Sequence, residues 1–175
     1  VGTVTATDVD AGSVFTYSIT GIVPATTPAA FAINSSTGAI TVANSAVINH
    51  EANPVFSLTV QATDNGSPVL SDTATVTVTV NDLNDAPVVS GATFTLDENS
   101  PAATVVGTVT ATDEDDPGQT LTWAITGGND LGAFTINPAT GQITVANATP
   151  LDFETNPTFT LTVRATDNGS LNLSG

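Results

Sequence analysis

The octapeptide Val1-Gly2-Thr3-Val4-Thr5-Ala6-Thr7-Asp8 recurs letter for letter as Val106-Gly107-Thr108-Val109-Thr110-Ala111-Thr112-Asp113, a shift of 105 residues. Ala62-Thr63-Asp64-Asn65-Gly66-Ser67 recurs as Ala165-Thr166-Asp167-Asn168-Gly169-Ser170, a shift of 103. One structural unit is therefore written twice, and its period is about that of a seven-stranded β-sandwich. The drift in spacing falls after Asp10 and between Gly21 and Phe31, in loops, where length changes leave a core intact. Within a copy, Thr73-Ala74-Thr75-Val76-Thr77-Val78-Thr79-Val80 alternates apolar and hydroxylated side chains. That period of two lets one face be buried while the other stays wet. Thr and Val are stiff at χ1 and favour a pleated surface, and Asn-Gly and Thr-Gly pairs between the runs read as turns. The expected class is all-β: two tandem Greek-key seven-stranded sandwiches of immunoglobulin-like type, over residues 1–85 and 86–175.

The full strand set emerges only when the copies are combined. The second supplies strands near Thr93–Leu96, Thr104–Ala111, Leu121–Thr126, Ala133–Ile136, Gln142–Val145 and Thr158–Arg164, and the first supplies the last, Thr73–Val80. On this reading the first repeat lacks its first strand and the second lacks its last. Open sheet edges follow, so the expectation is a window of a longer chain, or neighbouring copies that supply the strands. Trp123 aligns with Tyr17 on an alternating strand and is expected in the core.

Charge narrows the partner. The chain has no Lys, one Arg, one His and seventeen acidic residues, for a formal charge of −16. Nucleic acids and anionic membrane surfaces need cationic side chains, which are essentially missing, so the implied partner is a cation. With no Cys there is neither a disulfide framework nor a thiolate metal site. No apolar run reaches membrane-spanning length, and no leader is visible.

The acids are not scattered. They sit in Asp8-Val9-Asp10 and Asp113-Glu114-Asp115, in Asp64-Asn65-Gly66 and Asp167-Asn168-Gly169, in Asp97-Glu98-Asn99, in Leu151-Asp152-Phe153-Glu154, and in Asn81-Asp82-Leu83-Asn84-Asp85-Ala86-Pro87. These motifs, in this order, resemble the cadherin family over essentially the whole chain, and the link with its Ala-Pro is similar to bacterial members. The resemblance implies calcium-binding repeats of an extracellular or cell-surface adhesin or matrix protein, with calcium ions and adjacent repeats as partners. By it, the junction inside the chain would draw its ligands from Glu51, Asp82, Asn84, Asp85, Asp113, Asp115 and Asp167. Asp8, Asp10 and Asp64 would serve the junction upstream, and Glu98, Asp152 and Glu154 the junction downstream. Asn49 stands where the family's Leu-Asp-x-Glu motif has Asp, which removes one charge from the outermost position.

The chemistry suits the pattern. Calcium takes six to eight oxygen ligands in flexible geometry, and in Asp-x-Asp both carboxylates fall on one side of an extended chain. Clustered carboxylates without a cation would repel one another. Twelve of the seventeen acids stand at the ligand positions that the resemblance assigns, where a merely solubilising surface would spread its charge. An enzyme is not expected: no nucleophile or acid–base pair stands outside the calcium pattern, and His50 reads as an exposed loop residue. The alternative to a rigid extracellular module is a filament subunit assembled by strand complementation between neighbouring copies.

Overall fold

Most of the long alternating runs become antiparallel strands in the computed structural model, which describes residues 1–9, 12–115 and 119–175. The chain forms two units, Val1–Asp82 and Leu83–Gly175. In the first, β1 (Gly2–Thr3), β3 (Phe31–Ile33) and β4 (Ala39–Val42) form one sheet in the order β1-β4-β3. The strands β2 (Thr16–Val23), β5 (Val55–Thr63) and β6 (Ser71–Thr79) form the other, in the order β2-β5-β6. Strand β5 is central, and its ladder with β6 runs unbroken from Val55↔Thr79 to Thr63↔Ser71. Its alternate residues Phe56, Leu58 and Val60 are almost wholly buried against Ala30, Phe31 and Ile40 of the opposing layer. Phe31 meets Phe56 edge-on, with ring centroids 5.2 Å apart. Each such side chain contributes about 1.5–3 kcal/mol of burial.

The second unit repeats the plan. Strands β8 (Val105–Thr108), β11 (Phe134–Ile136) and β12 (Gln142–Val145) form one sheet, and β10 (Thr122–Gly127) pairs with β13 (Thr162–Thr166) in the other. Its core gathers Val109, Trp123, Phe134, Ile143, Val145, Leu151 and Ala165. Trp123 and Tyr17 are both buried, as their alternation requires. Beneath Trp123 runs Gly141 at φ +69°, where a Cβ would press on the Val109 carbonyl and the indole. Both units carry the same irregularity, a register shift at Ile19/Gly21 and at Ile125/Gly127.

Two strands differ from the expectation. Thr93–Leu96 is not in a ladder; instead β7 (Val88–Val89) pairs with β9 (Ala111–Thr112). Thr158–Leu161 also carries no ladder, although the matching half of β5 is strand throughout. The reason is local: β5 lies between β2 and β6, whereas the named strand beside β13 is β10 alone. On the other side of β13, Ala165 and Gly175 exchange backbone hydrogen bonds at 3.1 Å, and Thr166 bridges Ser174.

Candidate metal centre

Acid-plus-glycine turns follow β5 in the first unit and β13 in the second, and they close in the same way. Asp167, one residue beyond β13, accepts through Oδ1 from the backbone N–H groups of Gly169 (3.0 Å) and Leu173 (3.1 Å). Asp64, one residue beyond β5, accepts through Oδ1 from those of Gly66 (3.0 Å) and Leu70 (2.9 Å). The next residue repeats as well, since Asn168 Oδ1 accepts from Thr120 N–H (2.7 Å) and Asn65 Oδ1 from Val14 N–H (3.0 Å). Each turn thereby holds the segment that follows its Asp-x-Asp motif.

In the second unit the acids converge. The Asp115 N–H donates to Asp113 Oδ1 at 3.1 Å, which curls the Asp-x-Asp motif into a tight turn just after β9. The Asp85 N–H donates to Asp115 Oδ2 at 2.7 Å. Its neighbour Asn84 donates through Nδ2 to Asp167 Oδ2 at 3.1 Å and accepts through Oδ1 from Gln119 Nε2 at 2.6 Å. Adjacent residues Asn84 and Asp85 therefore tie the Asp113–Asp115 turn to Asp167. Asp167 is only 4% exposed, the one buried charged residue among those described.

These donors fit a hard cation. They are carboxylate and amide oxygens, with no sulfur, as calcium prefers. Asp113 Oδ2 is a buried carboxylate oxygen that no group among the described residues pairs, and the same holds for Gln119 Oε1. A carboxylate oxygen held away from water and donors is costly, and a cation relieves that cost. Gly169 keeps the cradle open: a Cβ there would collide with Asn84 Oδ1 and Gln119 Oε1.

A second group in this unit joins Glu98, Asp152 and Glu154, with one carboxylate oxygen from each lying within 4.8 Å of the others. The Phe153 N–H donates to Glu98 Oε2 at 3.2 Å. The Thr155 hydroxyl donates to Asp152 Oδ2 at 2.9 Å and the Glu154 N–H to Asp152 Oδ1 at 3.1 Å. The Thr155 hydroxyl, with the smaller help of Glu154, holds the Asp152 carboxyl below its ordinary pKa. All three acids are exposed.

In the first unit, Glu51 and Asp82 come together beside His50. The imidazole Nδ1 lies 3.2 Å from Glu51 Oε1 and 3.7 Å from Asp82 Oδ1. Asn49, in place of an Asp, uses its Oδ1 to hold the Ala52 N–H at 2.7 Å and so shapes the turn that presents Glu51. Among the described residues, Asp8 and Asp64 of the first unit join no group of three, and Asp10 lies outside the described residues. Sequence reasoning missed Gln119, which belongs to no motif, and missed the approach of His50 to Glu51 and Asp82.

The family model described as the cadherin domain matches residues 1–81 and again 92–175. Human Protocadherin Fat 1 is 40% identical over 167 residues, which covers 93% of this chain and 4% of that protein. Chicken Cadherin-2 is 40% identical over 183 residues, 94% of this chain and 20% of that protein. Among solved structures, mouse Cadherin-23 EC22-24 superposes with a TM-score of 0.65 at 28% identity, over 96% of this chain and 54% of that one. Protocadherin Gamma B2 extracellular cadherin domains 3-6 superpose with a TM-score of 0.59 at 28% identity, over all of this chain and 45% of that one. The chain thus spans a small part of the curated relatives it matches.

Proposed function

The chain belongs to the cadherin family, and from that premise we propose that it is a calcium-rigidified repeat pair from a long extracellular adhesion protein. Cadherin domains are structural adhesion modules, not enzymes. The reading rests above all on the convergence of Asn84 and Asp85 with Asp115 and Asp167, beside the unpaired Asp113 Oδ2.

Asp113, Asp115, Asp167 and the Asn84 side-chain oxygen would hold one calcium ion, and Glu51, Asp82 and Asp85 would supply the ligands of its neighbours. Asp8, Asp10 and Asp64 would act at the preceding junction, and Glu98, Asp152 and Glu154 at the following one. Bound calcium supplies the positive charge that lets these carboxylates sit together. Asp82 ends the first unit, and Asn84 and Asp85 follow Leu83 at the start of the second. Ligands on both sides of so short a link would take away its bending freedom, at the expense of the metal-binding free energy. A stiffened string of repeats suits projection of an adhesive surface away from a cell. The relatives are cadherins, and among the described residues no helix is long and apolar enough to cross a membrane.

Calorimetric titration of the calcium-stripped chain tests the reading. Saturable binding is expected, with a dissociation constant of about 10⁻⁴ to 10⁻³ M, the range of extracellular calcium modules. Failure to approach saturation by about 10⁻² M calcium, roughly ten times the upper end of that range, would refute it.

A further inference from the structure

The second unit contains a line of three groups, Gln119, Asn84 and Asp167, whose hydrogen-bond polarity is forced from one end. Asp167 Oδ1 is already filled by the Gly169 and Leu173 N–H groups, so Oδ2 is the oxygen that faces Asn84. An ionised carboxylate only accepts. At 3.1 Å, and with Asp167 buried, Asn84 must present its Nδ2 there, because its oxygen would set two acceptors against each other. That commits Asn84 Oδ1 to the other side, where it has to accept. Gln119 must then donate through Nε2, and it does so at 2.6 Å. The cost of this order appears at the far end: Gln119 Oε1 is left buried without a donor among the described residues.

A cation beside Asp167 inverts every one of these preferences. Calcium seeks oxygen, so Asn84 would turn Oδ1 toward the ion and Nδ2 toward Gln119. Gln119 would then have to accept, and the atom available is the unpaired Oε1. We propose that Gln119 is a positioning residue that keeps Asn84 hydrogen-bonded in both states, through an amide relay that reverses when calcium binds. This rests on the calcium reading above and adds the means by which the site stays paired without the ion. Among neutral side chains of this size, an amide is what can both donate and accept. Gly169 leaves room for the exchange, since a Cβ there would meet both amide oxygens of the relay.

Among the described residues the relay is found in the second unit. Thr120 and Val14 make the same bond to Asn168 and Asn65, which sets Ser13 at the position of Gln119. Ser13 is too short to serve as a long amide, so the two repeats should stabilise their centres by different means.

Side-chain amide NMR of the isotope-labelled 175-residue chain, titrated with calcium alone, tests the relay, together with calorimetry of Gln119→Met and Gln119→Glu. The Asn84 and Gln119 side-chain NH₂ resonances should both move on calcium addition, the Asn84 protons losing the signature of a carboxylate partner. Gln119→Met should bind calcium about 10-fold more weakly, the lower range for loss of a group that orients a metal ligand. Gln119→Glu only accepts, so it should bind at least as tightly as the wild type and unfold at a lower temperature in chelator. If the wild type binds calcium but its Asn84 NH₂ resonance stays still, or if Gln119→Met binds as tightly, the relay is wrong and the calcium reading stands. If the wild type does not bind calcium, both fall together.

Discussion

Asn84 and Asp167, 83 residues apart in sequence, are joined by a hydrogen bond of 3.1 Å. The bond puts an element of the inter-repeat link onto the last turn of the second repeat, at the most deeply buried acid described. It brings together groups that look independent along the chain.

Asp115 holds the Asp85 N–H at 2.7 Å and belongs to this centre, whereas Asp130 is exposed in a distant turn. Asp115→Ala should weaken calcium binding by about 10-fold or more, and Asp130→Ala by less than about 2-fold. Calorimetry on the two variants checks this. Equal effects would point to a diffuse acidic atmosphere.

Gly169→Ala places a methyl group against Asn84 Oδ1 and Gln119 Oε1. It should cost about 1–3 kcal/mol, as crowding of a packed site does, and should reduce calcium affinity. Gly91→Ala is the control, since nothing lies within 4 Å of its Cβ. It should change stability by less than about 0.5 kcal/mol. Urea unfolding in chelator and in calcium separates the two effects.

Phe56 is fully buried between the sheets of the first unit and stacks edge-on to Phe31. Phe56→Ala should lower the stability of that unit by about 3–5 kcal/mol, the usual cost of removing a core aromatic ring. Denaturant unfolding monitored by amide resonances of each unit measures it.

The Thr155 hydroxyl bonded to Asp152 lowers the carboxyl's pKa from 3.8. A carboxyl whose folded pKa is depressed adds stability above its unfolded pKa and loses it as pH falls through the folded value. In chelator, Thr155→Val should therefore raise the Asp152 pKa toward 3.8. Any stability difference from the wild type should be present above that pH and fade below it. Carboxyl-carbon NMR titration reads both.

Periodicity made the sandwich legible because it reports which side chains need burial. Phe56, Leu58 and Val60 alternate inward as their sequence demands. Periodicity does not report which strand lies alongside, so Thr93–Leu96 and Thr158–Leu161 carry the pattern without a ladder, and Val88–Val89 pairs with little pattern at all. Asp113, Asp115 and Asp167 were readable because their motifs are local. Gln119 was not, because its part in the site arises only when residues 84, 119 and 167 are brought together by the fold. His50 could be read as a lone loop residue for the same reason, since Asp82 reaches it only through the fold.

The central claim is that calcium stiffens the link between two independently packed repeats. Small-angle scattering of the chain in calcium and in chelator, with circular dichroism on the same samples, tests it most directly. Chelation should broaden the distribution of particle dimensions while the β-sheet signal of both repeats persists. Identical scattering and identical thermal stability in calcium and in chelator would contradict the account.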